Sequence, residues 1–346
     1  MAKDVNNERP ARATIRHVAA LAGVDISLVS RVLNESPKAG ATAETRERIV
    51  AAARSLNYRP NIAARSLRTA KAWTLGVLLP NFSNPLYTDI AAAAEQRAQE
   101  RGFGLVFGSH VDGAKEETFT RLLVEGRVDG LLVASGLLSD SFLRGLSSAG
   151  AGPFALVNRR VRGLSPAVTV DDRAGAALAT THLIELGHTR IAGIFGPARI
   201  DTSQRRRKGF LDAAAQAGLD PVVVEADSWS ANAGRIAAEE LLRRHKRVTG
   251  IFASSFEIGM GTLRTATERG VMVPDDLSVV ALHDSGLADY LNPRLTTVAL
   301  PVQEMAHRAI DLLIELVDGA SPSNEMIKTA PQLLRRESTD VIHSNV

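Results

Sequence analysis

The chain has 346 residues, 45% of them hydrophobic, with 41 Lys+Arg, 38 Asp+Glu and no cysteine. That length exceeds one typical domain and suits a small head joined to a larger body. The composition excludes disulfides, thiolate metal sites and cysteine nucleophiles, and no apolar run reaches membrane-spanning length. Residues Met1 to Glu8 lack the apolar core of a signal peptide, so the expected compartment is the cytoplasm. Charge is uneven: residues 1–71 hold 13 Lys+Arg against 6 Asp+Glu, a basic head on an acidic body. Phosphate neutralisation asks for that distribution at one end only, although a solvated basic terminus would share it.

Residues 14–34 read as two short helices around a turn at Gly23. Thr14 can cap the first, and Ala19 and Ala22 are small enough for a second helix to approach closely. Gly23 suits a turn with positive φ. Asp25 can cap a second helix whose Val29, Val32 and Leu33 face inward, leaving Ile26, Ser27, Ser30, Arg31 and Asn34 on the other face. The pattern is that of a helix-turn-helix, whose second helix enters the DNA major groove; an ordinary αα-hairpin is the plainer alternative. A Pro- and Gly-marked loop over 35–41 precedes a third helix, roughly 43–57. The segment 61–68 is too short for a stable isolated helix, which makes it a conditional element.

From Trp73 the pattern alternates between strands and helices. Strands are expected at Leu75–Leu79, Leu105–Phe107, Gly130–Val133, Phe154–Val157, Ile191–Phe195, Val222–Val224, Gly250–Phe252 and Ser278–Leu282, with a last strand region at Leu333-Leu334. Between them lie amphipathic stretches such as Ile90–Arg101, Gly175–Leu186 and Ala231–Arg244. Apolar strands separated by helices imply parallel sheets covered on both faces. About 260 residues suffice for two such lobes, with the ligand site at the carboxyl ends of the strands, in the cleft between them. Gly259-Met260-Gly261 lacks the third glycine of a dinucleotide-binding turn. His283-Asp284 has no nucleophile partner, and no histidine pair has zinc spacing, so no catalytic residue, metal or cofactor is expected.

These segments resemble the lactose-repressor (LacI) family of bacterial transcriptional regulators, from about Thr14 to Glu337. The motifs are Val18-Ala19 with Ala22-Gly23-Val24, Val29 to Asn34, Tyr58-Arg59-Pro60-Asn61, Ala64-Arg65-Ser66-Leu67, Ser83-Asn84-Pro85, Leu186-Gly187-His188 and Leu295-Thr296-Thr297-Val298. The resemblance implies an all-α helix-turn-helix headpiece (12–60), a hinge helix and linker (61–71), and an α/β two-lobed core (72–337) like the type I periplasmic binding proteins. Lobe 1 would cover about 73–171 and 299–327, lobe 2 about 172–298 and 328–337, with three crossovers. It further implies base reading by Ile26, Ser27 and Arg31, phosphate contacts from Ser30 and Asn34, and DNA roles for Thr14, Asn61 and Ala64. Leu67 matches the family's minor-groove wedge, against the plainer reading of a linker residue packing on the body. The loop before the third helix is about two residues longer than the family's usual.

The core departs from the better-known sugar-binding members. Those carry an Asp after the fourth strand, an Arg before a Gly-Phe pair, an Asn-Asp pair at a later strand end and Asp-Asp at the next. Here those places hold Asn158, Gln204, Ser254-Ser255 and His283-Asp284. Trp229 matches a position that stacks on ligands, and Leu86 and Tyr87 match the first lobe's lip. The expected effector set is Leu86, Tyr87, Asn158, Gln204, Trp229, Ser254 and His283, a neutral hydrogen-bonding cleft for an effector other than a standard aldohexose. On a helix Arg205 points about 100° from Gln204, so the run Arg205-Arg206-Arg207-Lys208 reads as a solvated face. His283 either bonds an effector or caps a strand end.

The expectation is a homodimeric regulator, a repressor, on a palindromic double-stranded operator, nucleoid-associated when bound, with no membrane partner. A small-molecule effector would change the lobe angle, the subunit contact and hinge-helix formation. The chain ends soon after Leu333-Leu334 with no apolar heptad tail, so no tetramerising coiled coil is expected. The alternative is a transporter's solute-binding protein, which leaves the basic head unexplained.

Overall fold

A computed structural model describes residues 13–33, 40–58, 71–109, 120–134, 138–164 and 166–342. It forms two compact units that divide between Ala72 and Trp73.

The first unit packs α1 (Ile15–Ala22), α2 (Ile26–Leu33) and α3 (Ala43–Ser55) around Val18, Ala19, Ala22, Val29, Val32, Ile49, Ala52 and Ala53. Gly23 ends α1 in the left-handed region (φ 65°, ψ 38°), where its missing Cβ removes the strain other residues would carry. The Val24 amide then returns to the Ala19 carbonyl at 3.1 Å, and Arg48 Nε donates to the Ala22 carbonyl at 2.9 Å. Two of the free carbonyls at the end of α1 are thereby satisfied. Asn34, Asn61, Ala64 and Leu67, with the expected hinge helix, lie outside the described residues.

The second unit holds two six-stranded sheets. Its strands and helices in chain order are β1 (Thr74–Leu79), α4 (Pro85–Glu100), β2 (Gly104–Ser109), β3 (Gly130–Val133), α5 (Asp140–Ser148), β4 (Phe154–Val157), β5 (Ala167–Thr169), α6 (Asp172–Glu185), β6 (Ile191–Phe195), α7 (Asp201–Gln216), β7 (Val222–Glu225), α8 (Ala231–Arg244), β8 (Gly250–Ala253), α9 (Phe256–Arg269), β9 (Ser278–Leu282), β10 (Thr296–Ala299), α10 (Val302–Val317), β11 (Glu325–Met326) and β12 (Gln332–Leu334). The sheet orders are β11-β5-β4-β3-β1-β2 and β12-β10-β9-β8-β6-β7, parallel except where β12 runs against β10. The two sheets repeat one pattern, and the chain passes between them after β5, after β10 and after β11. Central strands such as Leu131-Leu132-Val133 and Val279 to Leu282 are buried throughout, as strands covered by helices on both faces must be. Ala167–Thr169, Thr296–Ala299 and Glu325–Met326 are strands the apolar pattern did not predict; two or three of their residues pair, too few for a periodic signal.

Among the described residues no helix is long and apolar enough to cross a membrane, and no cluster of His, Asp and Glu could hold a metal ion.

Candidate functional site

Two surfaces bring the predicted residues together. In the head, Thr14 takes the N-cap position of α1 with extended backbone, and its amide donates to His17 Nδ1 at 3.3 Å. Asp25 Oδ1 accepts from the Ser27 amide at 2.7 Å, which opens α2. Hydrogen bonds from Ser27 hold the Asp25 carboxyl below its ordinary value. Val29 and Val32 point into the core, and the 3.6-residue period then turns Ile26, Ser27 and Arg31 to solvent with Ser30 half-buried beside them. Ile26 is 41% exposed, large for an apolar side chain in a unit with so small a core. The face carries short donors and acceptors, one apolar group and one guanidinium, the chemistry that reads base edges.

The second surface is a cavity of about 890 Å³, its open mouth included, between the two sheets. Most of the wall comes from the carboxyl ends of strands, with Leu86 and Tyr87 added by α4 and Thr202 and Arg206 by α7. Pro80 and Asn81 follow β1, Ala134 follows β3, Asn158 and Arg159 follow β4, and Pro197 follows β6. Asp227 to Ser230 follow β7, Ser255 and Phe256 follow β8, and His283 follows β9. Open parallel sheets place their ligands there. Asn158 and His283 hold equivalent places in the two sheets, and both have positive φ (62° and 73°), a conformation costly for a side-chain-bearing residue and tolerated best by Asn, Asp and His. Gly196 lacks the Cβ that would lie 2.6 Å from Trp229, so the indole can lie against the loop after β6.

Arg206 dominates the floor. It is 2% exposed, donating from Nε to Asp172 Oδ1 (2.7 Å) and from Nη1 to the Ser254 carbonyl (2.7 Å), while its guanidinium lies 5.1 Å from the Trp229 ring centroid. Asp172, fully buried in the first turn of α6, also takes Arg205 Nη2 at 2.6 Å, and Arg205 bonds Asp201. Arg206 Nη2 is buried without a hydrogen-bond partner, as are both ring nitrogens of His283. His283 Nε2 stands 3.3 Å from Asp89 Oδ2 without the alignment of a hydrogen bond. Arg159 reaches the Leu138 carbonyl (3.1 Å) and Asp140 (2.8 Å), and burial lowers its affinity for a proton. Burial pushes the Tyr87 hydroxyl up to about 12, against the pull of Arg206 and Arg159, so it stays a neutral donor.

Among the described residues, three of the hydrogen bonds cross the cleft. Asn84 Nδ2 donates to Glu257 Oε2 (3.1 Å), Thr202 Oγ1 to the Asn158 carbonyl (2.8 Å), and the Arg160 amide to Asp201 Oδ2 (2.9 Å). Burial raises Glu257 to about 6, against the Asn84 hydrogen bond.

Of the expected cleft residues, Leu86, Tyr87, Asn158, Trp229 and His283 line the cavity. Gln204 does not: it is exposed, and its Nε2 donates to the Ala198 carbonyl at 2.9 Å. Ser254 is fully buried behind Arg206, and Ser255 takes its place in the wall. The solvated reading of 205–208 fails at Arg206, and the cleft is not neutral. The signal was present in the sequence, because Thr202, Arg206, Phe210 and Ala213 recur at helical spacing and all are buried on α7. Arg159 and Phe256 carried no such periodic signal.

Residues 14–61 match the family model of bacterial regulatory proteins, lacI family, and residues 180–339 match the periplasmic binding protein-like domain. The HTH-type transcriptional regulator GalR of Salmonella typhimurium is 35% identical over 331 residues, 94% of this chain and 96% of that protein. The transcriptional regulator CelR in complex with cellobiose has 31% identity and a TM-score of 0.72, over 94% of this chain and 100% of that one. The lac repressor dimer bound to operator and the anti-inducer ONPF has 26% identity and a TM-score of 0.78, over 95% and 99%.

Proposed function

Because the chain belongs to the lacI family of bacterial regulatory proteins, DNA-binding transcriptional regulators, we propose that it binds a palindromic operator as a homodimer and represses from it, with a small molecule in the interlobe cavity setting its affinity. The observation that carries the reading is the exposed face of α2, where Ile26, Ser27, Ser30 and Arg31 stand over a core formed by Val29 and Val32. Arg31 reads guanine, Ile26 and Ser27 tune the neighbouring base pairs, and Ser30, Asn34 and Thr14 anchor to phosphates. Asn61, Ala64 and Leu67 complete the contact in the minor groove, with Leu67 as the wedge. Two heads related by a two-fold axis meet two half-sites, so the operator is an inverted repeat. In the cavity, Leu86, Tyr87, Asn158, Trp229 and His283, with Arg206 in place of Gln204, hold the effector. The three polar links across the cleft give that ligand a lobe arrangement to stabilise or oppose. The solute-binding reading accounts for the body alone and leaves the head without a role.

Selection of bound sites from random duplex DNA tests this. An inverted repeat recovered by the full-length protein is the expected result; sites without two-fold symmetry, or no preference over bulk DNA, overturn it.

A further inference from the structure

We propose that the amino ends of β6, β7 and β8 form a second ligand site, for a small molecule that carries a chain of two or more phosphates, free or on a nucleoside. A depression of about 920 Å³, its open mouth included, lies there. It shares no lining residue with the interlobe cavity, which takes the other ends of the same strands. Its floor is Ile191, Val222 and Val248, and its rim carries Arg190, Arg243, Arg244, Lys246 and Arg247 against one carboxylate, Asp220. All of these charged side chains are exposed. Arg244 pairs with Glu240 at 3.0 Å, whereas the side chains of Arg190, Arg243, Lys246 and Arg247 have no hydrogen bond or ion pair among the described residues. Other exposed cations of the body do find acids: Arg173 and Lys208 share Asp212, Arg264 takes Glu268 and Arg294 takes Glu337.

Backbone bonds hold the rim in place. The Thr249 amide donates to the Arg190 carbonyl at 2.9 Å, which ties the segment before β6 to the one before β8. The His245 amide stays on the Leu241 carbonyl (2.8 Å), and the His245 carbonyl takes the Val248 amide (3.1 Å), a tight turn that carries Lys246 and Arg247. The free carbonyls at the end of α8 favour cations at Arg243 and Arg244. They do not account for Lys246 and Arg247 beyond the helix, or for Arg190 on another segment. An exposed ion pair is worth little by itself, so a single carboxylate gains almost nothing here. A phosphate chain meets several of these cations at once, and arginine forks match its oxygens. A duplex asks for cations spread along a face. These instead surround one depression with an apolar floor, which suits a small molecule.

Calorimetric titration of the full-length protein at physiological ionic strength, in metal-free buffer, tests this with inorganic tripolyphosphate, ATP, orthophosphate and citrate. ATP against tripolyphosphate separates a nucleotide from a bare phosphate chain, and citrate is a multiply charged anion without phosphate. The triple variant Arg190→Gln, Lys246→Gln and Arg247→Gln removes three exposed, unpaired charges and should melt as the unmodified protein does. We expect tripolyphosphate or ATP to bind about tenfold or more tighter than orthophosphate and citrate, and the triple variant to lose about tenfold or more of that affinity. Citrate or orthophosphate bound as tightly as the chains, or no chain bound at millimolar concentration, overturns the proposal. Unchanged affinity in the triple variant means that the chains bind elsewhere, at the basic head or in the interlobe cavity, and overturns it as well. If the variant instead loses affinity for duplex DNA of random sequence while tripolyphosphate binds as before, the face is a nucleic-acid contact and the proposal falls. Should the triple variant melt differently, Arg190→Gln and Arg247→Gln are titrated singly, and a loss in neither overturns it.

Discussion

The head and the body treat charge in opposite ways. Among the described residues of the head, every buried side chain is apolar, and Arg31, Ser27 and Asp25 stand at the surface. The body buries Asp172, Arg206, Arg159, His182, His188 and His283. The difference follows from the size of what each must grip. A duplex is met from outside, so its contacts stay hydrated until binding and ask nothing of folding. A small molecule is met by enclosure, so the groups that hold it are already out of water, and each must be partnered by the protein or by the ligand.

The comparison breaks first at Asp172. Replacing it with Ala leaves Arg206 buried without its ion-pair partner and strips Arg205 of one of its two. A loss of about 3–5 kcal/mol in the body's urea unfolding is expected, with the cooperative melt of the head unchanged, since Asp172, Asp201, Arg205 and Arg206 all belong to the body. A loss under about 1 kcal/mol, the worth of an exposed pair, would mean the network is solvated.

His182 makes the second test. Its Nε2 bonds Thr339 at 2.9 Å, one of the links that hold residues 338–340 on the second sheet. Burial first, then Arg335 and His188, lower it from 6.5 to about 4. The folded state therefore binds its proton later than the unfolded chain. Stability is fully present above pH 6.5 and falls as the pH drops toward about 4. About 2–3 kcal/mol of the body's acid sensitivity should come from this residue and vanish in His182→Asn. A His182 ring titrating near 6.5 by NMR would contradict it.

On the head the expected effect is in binding, not folding. Arg31 is exposed at the end of α2. Arg31→Ala should leave both melts in place and remove about 1–3 kcal/mol of discrimination at one base pair in each half-site. An unchanged preference across operator variants would shift the reading role to Ile26 and Ser27.

How much of this was legible in the sequence follows the same division. The head's three helices, its turn at Gly23 and its inward valines follow from local spacing, and α3 at Ala43–Ser55 falls where the pattern put it. The buried strands of the body were as plain, since four or five consecutive apolar residues leave little choice. The cavity was not, because its walls come from strand ends far apart in sequence that only the sheet order brings together. The basic run 205–208 masks the helical register that Arg206 shares with Thr202 and Phe210. With Asp172 thirty-four positions away, nothing local announced the partner that lets an arginine be buried.

The smallest effect expected is at the cleft itself. Glu257 sits at the start of α9 and takes the Asn84 amide across the gap, half-buried. Burial raises it from 4.5 to about 6, the opposite sense to His182. Its contribution is fully present below pH 4.5 and lost as the pH rises through about 6, since the folded state then carries a charge that water would hold better. Glu257→Gln keeps an oxygen for Asn84 and removes the charge. It should stabilise the body at pH 7.5 by less than about 1 kcal/mol, once solvent screening of its open side is allowed for, and flatten the slope between pH 4.5 and 6. Equal stability of the two proteins at about pH 3 is part of the expectation, because both side chains are then neutral in the folded and the unfolded chain. If the variant is instead less stable at pH 7.5, the carboxylate is worth more to Asn84 than it loses by burial, and the cleft closes on charge as the cavity floor does.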